Sequence, residues 1–286
     1  MNSPNFRIRA SLGFSLIEIA VVLVIIAILV TAIGVPLASQ LDQQRTLDTQ
    51  KQLEVAREAI YGFAIANGRL PCPATDGVIY GGTSSSGAES FANGGEPSNG
   101  NCLVYTGFVP LVTLGLTGND GAGFMADSWN ARIQTSNGVN MSRIRYAVRG
   151  LDIAAGTPAA CTLTITKPLT RTNGIKDATM GCLSDPAAAV NLLTVVTTTI
   201  NNVPGGCTPS NLTTKAPFVI FSLGKNAATT GGTGADEAQN VTPTTITFVS
   251  HPPTPSGNCA GEFDDIVTWG SLNTLFSRMV QAGKLP

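Results

Sequence analysis

A chain of 286 residues has room for one substantial domain or two small ones. Its formal net charge is −1 and 12% of its residues are charged, about half the usual share of ~25%. No global charge argues for nucleic acid, and Ser, Thr, Asn and Gly must supply much of the polar surface. The first segment, Met1–Gly13, carries Arg7 and Arg9 and no acid. Phe14–Val35 follows, 22 residues interrupted only by Ser15, Glu18, Thr31 and Gly34. A secretory signal peptide places its apolar stretch before the cleavage site and loses it. Here the small residue Gly13 precedes the stretch, so a cut there removes the charges and keeps the helix. About 20 apolar residues cross a bilayer as a helix, so residues 14–36 read as a transmembrane segment. The basic flank predicts a cytoplasmic N-terminus and an exported remainder.

Beyond Pro36, an expected kink, Leu53, Ala56, Ile60 and Phe63/Ala64 recur at helical spacing among Gln, Lys, Arg and Glu. Residues 37–68 therefore read as an amphipathic continuation of the first helix. Asn67-Gly68 and then Pro71 signal its end. Leu70–Pro73 reads as extended, and residues 81–101, rich in Gly, Ser and Asn, as a mobile surface loop. Strands are predicted over Ile144–Val148, Cys161–Thr166, Leu193–Ile200, Phe218–Leu223, Thr244–Val249 and Ile266–Trp269. In the tail, Leu272, Leu275, Phe276, Met279 and Val280 mark one face of a short helix, with Ser271 to cap it and Gly283 to end it. The expected fold class is α+β. A long N-terminal transmembrane and spine helix packs on an antiparallel sheet in an exported domain, 69–286, closed by a C-terminal helix.

Six cysteines, Cys72, Cys102, Cys161, Cys182, Cys207 and Cys259, all lie beyond the apolar segment. An even number in an exported domain favours disulfides, and pairing of neighbours in sequence is the expectation among 15 alternatives. No C-x-x-C occurs and the only histidine is His251, which argues against zinc. Alternation in Arg143–Arg149 puts Arg143, Arg145 and Arg149 on one strand face. That row suits either DNA phosphates, with strong salt dependence, or a solvated face; nucleic acid is the less expected partner. Ser222-x-x-Lys225 has the spacing of a serine acyl-enzyme but follows a strand rather than starting a helix turn. His251 stands before two prolines with no evident partner. No Walker loop or nucleophile elbow is present, and nothing here supports an enzyme.

Glu18 is the anomaly of the apolar run, since an unpaired carboxylate there is expensive and usually has a partner. The string Gly13-Phe14-Ser15-Leu16-Ile17-Glu18, after a basic leader and before a long apolar run, resembles the type IV pilins and the pseudopilins of type II secretion. The resemblance covers residues 7–36. It implies cleavage between Gly13 and Phe14 by prepilin peptidase and N-methylation of Phe14. It also implies assembly with other pilin or pseudopilin subunits, with Glu18 meeting the Phe14 amine of a neighbour. Single-pass storage in the bacterial inner membrane with a periplasmic C-terminal domain is implied too, before incorporation into a pilus or pseudopilus. A displayed adhesin or DNA-binding minor pilin is the alternative within the same family.

Two further stretches resemble the major-pseudopilin branch. Asp127-Ser128-Trp129-Asn130 with Ile144-Arg145-Tyr146 is similar to its D-x-W-G…Y segment, with Asn130 in place of Gly. Ser222–Asn226, the glycine-rich 231–235 and Asp264-Asp265-Ile266 are similar to its calcium loop. The resemblance implies Asn226, Asp264 and Asp265, with carbonyls near Leu223, as calcium candidates. An acidic turn entering the last strand is the other reading.

Overall fold

A computed structural model describes residues 15–76, 87–92, 97–118, 120–129, 141–150, 152–153, 161, 164–184, 192–200, 206–227, 234–241, 246–257 and 259–285, with the main chain alone at 30–38, 184 and 200. The chain divides between Gln44 and Arg45 into two compact units. Helix α1 (Leu16–Asn67) runs as one element of 52 residues, through Pro36, and contributes to both.

In the first unit every residue from Ser15 to Leu29 is exposed. Leu16 is 87% exposed and Ile28 61%. The transmembrane expectation is corrected here. Among the described residues no helix is long and apolar enough to cross a membrane. Single-pass anchoring in the inner membrane conflicts with that finding and is set aside with it.

In the second unit the predicted stripe of α1 is inside: Leu53, Ala56, Ile60 and Ala64 are buried, with Tyr61 beside them. Gly68 ends the helix in the left-handed region (φ 68°), its N–H donating to the Ala64 carbonyl at 2.8 Å. Then follow β1 (Thr106–Phe108), α2 (Leu111–Leu114), β2 (Arg145–Val148), α3 (Gly174–Ser184), β3 (Leu193–Ile200) and β4 (Cys207–Ala216). The chain continues through β5 (Phe218–Ser222), α4 (Ala235–Val241), β6 (Thr247–Val249), β7 (Ile266–Trp269) and α5 (Leu272–Gln281).

One sheet has the order β1-β2-β5-β7 and is antiparallel throughout, with Tyr146 opposite Ile220 and Ile220 opposite Thr268. A second has the order β4-β3-β6 and is mixed, since β3 runs parallel to β6. The class is α+β with an antiparallel sheet, as expected from sequence; the second sheet was not anticipated. Side-chain alternation explains the layering. Tyr146, Val148, Phe218 and Ile220 join α1, α3 and α5 in one core. Ala147, Val219 and Phe221, on the opposite face, join Val195 and Phe248 of the second sheet in another. Strands β2 and β5 are thus covered on both faces, and every residue of each is buried.

Three disulfides join neighbours in sequence: Cys72–Cys102, Cys161–Cys182 and Cys207–Cys259. Loops of 21 to 52 residues closed this way each contribute roughly 3–4 kcal/mol by chain-entropy reasoning. Cys161–Thr166 is not a strand in its described part, where a lone bridge joins Ile165 to Ile153. The described parts of the expected 81–101 loop are tied down. Glu89 holds Arg69 at 2.7 and 2.8 Å, and Phe91 bridges Cys102. Ser271 occupies the N-cap of α5 but makes no side-chain cap bond.

Candidate functional site

Strand β5 delivers the chain to a tight turn at Gly224 (φ 66°), where an added Cβ would stand 2.0 Å from Asp264 Oδ1. Only glycine permits that approach. The turn aims the Asn226 N–H at Asp264 Oδ2, 3.1 Å away. Helix α4 supplies Glu237, wholly buried in its first turn. Its carboxylate reaches back to the Gly234 N–H at 3.2 Å, the acid half of a capping box. It also accepts the Asp264 N–H at 2.9 Å and the Asn226 side-chain amide at 3.1 and 3.2 Å. One turn later, Asn240 donates to Asp265 Oδ2 at 2.7 Å and exchanges two hydrogen bonds with the main chain of Val249.

The result is three carboxylates, Glu237, Asp264 and Asp265, with oxygens within 4.8 Å of one another. Two of them are pushed toward the neutral form. Burial, followed by the charge of Glu237, raises Asp264 to about 6. Burial raises Asp265 well above the ordinary range, the Asn240 hydrogen bond and the charge of Arg145 only partly opposing it. Asp265 Oδ1 is buried and meets no hydrogen-bond donor. Among the described residues no ion pair involves Asp264 or Asp265. A buried, clustered acid set with an oxygen unspent fits a hard divalent cation, which takes oxygen ligands and several carboxylates. Asp264 and Asp265 would hold such a cation and Glu237 would add charge, while Asn226 ties the turn to Glu237.

The sequence-expected residues Asn226, Asp264 and Asp265 thus lie together. Glu237 and Asn240 were missed. The signal was Ala235-Asp236-Glu237 directly after a glycine, a helix start with an acid three residues on.

The expected arginine row is corrected. Arg143 and Arg145 are buried at 8% and 3% exposure. Arg143 pairs with Asp76 at 2.7 Å and Asp120 at 2.6 Å, and stacks 4.2 Å over Phe124. Arg145 lies under Phe108, facing the second sheet. Arg149 is half-buried, which lowers its affinity for its proton. A phosphate would have to displace two carboxylates from a closed network.

Ser222 is fully buried and donates to Asp127 at 2.6 Å, while Lys225 is exposed, so the S-x-x-K spacing assembles no acyl-transfer site. Asp127 also accepts the Trp129 N–H, and Ser128 donates to Thr49 of α1. This part of the D-x-W segment therefore fastens helix to sheet; Asn130 lies outside the described residues. His251 does have a partner: it stacks on Phe263 at 3.9 Å and meets Asp236 at 3.1 Å. Gly13 and Phe14 lie outside the described residues, and Glu18 is exposed in the first turn of α1.

No family model, no curated protein and no solved structure matches this chain.

Proposed function

We propose that this chain is a pilin-like structural subunit, a minor one, of a type IV pilus or a type II secretion pseudopilus. Prepilin peptidase would cut it between Gly13 and Phe14, and it would polymerise through its N-terminal helix. The observation that carries the reading is the exposed stretch Leu16–Leu29. Its large side chains are apolar on every side of the helix rather than along one stripe. A helix of that kind belongs in a buried setting. Covering each Val, Leu or Ile contributes roughly 1.5–3 kcal/mol, ample to drive association with the same stretch of other subunits.

Glu18 is the one charge in that stretch, and it sits four residues from Phe14. A staggered neighbour would answer it with the amine freed by cleavage, and the pair would set register. The carboxylate cluster around Asp265 gives the same subunit a place for calcium, as the family resemblance implies; the cation would neutralise the acids and fix the turn at Gly224. The buried arginines disfavour the DNA-binding alternative.

Intact mass and N-terminal peptide mapping of protein from its native cells test the processing. An N-methylated Phe14 terminus is expected; a retained leader in cells with active prepilin peptidase would remove the filament reading. Gly13→Glu should block the cut. Glu18→Ala should leave cleavage intact and lower incorporation into filaments, and normal incorporation would refute the pairing.

A further inference from the structure

We propose that the trough on either side of Trp269 is a binding site for a neutral oligosaccharide. This stands apart from the filament reading and does not depend on it. Strand β7 is an edge of the four-stranded sheet, and Trp269 is its last residue. The indole is half-buried and lines two adjoining clefts, which also share Ser271. One, of about 310 Å³, is walled by Arg57, Glu58, Tyr61 and Arg278; the other, of about 400 Å³, by Thr213, Thr214, Lys215 and Asn273. Each volume is in the range of small-ligand sites.

The walls are fixed before any ligand arrives. Tyr61 Oη accepts the Ser271 N–H at 2.8 Å, and its ring lies edge-on to Phe218. Arg278 stacks 4.6 Å over the Tyr61 ring and holds Glu58 with both terminal nitrogens, at 2.5 and 3.0 Å. Arg57 is spent on Glu54 at 2.6 Å and Thr268 at 3.3 Å. Other groups are unspent. The side chains of Thr214, Asn273 and Thr274 make no hydrogen bond to any described residue.

The chemistry of the lining selects the ligand. An apolar molecule would strand the hydroxyl and amide groups, which is unfavourable. A polyanion finds Arg57 and Arg278 already neutralised. A pyranose presents a flat face of C–H groups for an aromatic ring and a rim of hydroxyls for amides, hydroxyls and paired ions. Tryptophan is the side chain that joins an apolar face to a wet edge. The trough, with one indole at its middle and polar groups at both ends, is laid out for more than one sugar unit.

The test is isothermal titration of the full-length protein with cellotetraose, maltotetraose, N-acetylchitotetraose and a galactose tetramer. Heparin serves as a polyanion and an extended polyalanine-rich peptide as a candidate extra strand on β7. At least one neutral tetramer should bind, and Trp269→Ala should weaken it about tenfold or more, with Trp269→Phe intermediate. Asn273→Ala and Thr214→Ala, at exposed positions that leave the fold unchanged, should each weaken it about threefold to tenfold. These two variants decide the matter if Trp269→Ala fails to fold. The proposal is overturned if no neutral tetramer binds at millimolar concentration. It is equally overturned if binding is unchanged in the Asn273 and Thr214 variants, or if only heparin or the peptide binds in the trough.

Discussion

Asp76 and Asp120 around Arg143, and Asp264 and Asp265 beside the Gly224 turn, are acids withdrawn from water in very different company. Arg143 answers the first pair at 2.7 and 2.6 Å, and Asp120 accepts two main-chain N–H groups besides, from Ala122 and Phe124. Phe108 and Phe124 close over the guanidinium. The second pair has Glu237 beside it, an Asn240 amide, main-chain N–H groups of Asn226 and Lys225, the field of Arg145 and, among the described residues, no ion pair. Burial then drives both of its carboxyls upward, Asp264 to about 6. Buried charge alone therefore does not mark a site. A closed network holds a fold together, whereas an acid cluster without its counter-charge is a place prepared for something else.

The largest effect lies in the closed network. Arg143→Met leaves two buried carboxylates without their guanidinium, and should cost about 3–5 kcal/mol in urea unfolding. Adding Asp76→Asn and Asp120→Asn to that variant should recover much of the loss, because the stranded charges are then gone. A loss below about 1 kcal/mol for Arg143→Met would mean that the network is no keystone and would dissolve the contrast.

The open cluster should respond with the opposite sign. Without calcium, Asp265→Asn replaces a carboxyl already pushed toward its neutral form and should leave stability unchanged or raise it by up to about 1 kcal/mol. Asp120→Asn should lower it by about 1–3 kcal/mol. Calcium at about a hundred times its dissociation constant should add about 2.7 kcal/mol to the unaltered protein, and a chelator should remove that gain. Asp265→Asn and Asp264→Asn should each abolish most of the increment, while Asp120→Asn keeps it. A thermal-shift series with and without calcium reads all of these. An increment that survives in both cluster variants would place the cation elsewhere.

Sequence revealed whatever depends on local pattern. The stripe Leu53-Ala56-Ile60-Ala64, the stop at Gly68 and the α5 face Leu272, Leu275, Phe276 and Met279 all followed from a helical period; Val280, expected on that face, is instead 49% exposed. Strands β3, β5 and β7 carried enough β-branched and aromatic residues to be seen. Strand β4 did not: Cys-Thr-Pro-Ser-Asn-Leu-Thr-Thr-Lys-Ala lies at an edge, mostly exposed, where polar residues and Pro209 are tolerated and no apolar alternation is needed. The arginines of β2 misled for the converse reason. Alternation tells which residues share a face, not whether a second sheet covers that face. Asp264 and Asp265 were legible as acids at a turn. Glu237, 27 residues earlier, joins them only through the tertiary fold.

The exposed pair Glu58–Arg278 should show the smallest effect and bound the comparison from the surface side. Arg278 donates both terminal nitrogens to Glu58, and that hydrogen bonding, ahead of a small burial penalty, lowers the Glu58 carboxyl from its ordinary 4.5. A lowered acid stabilises the fold above its unfolded value, and the contribution is lost as pH falls through the lowered value. Side-chain exposures of 45% for Glu58 and 35% for Arg278 leave the pair open to water and salt. A double-mutant cycle of Glu58→Gln and Arg278→Met should therefore give a coupling of only about 0.5 kcal/mol at pH 7. It should shrink in high salt and disappear as pH falls through the lowered Glu58 value. A coupling as large as that of Arg143 with its acids would show that solvent exposure does not separate these pairs, and would require another account of the buried network.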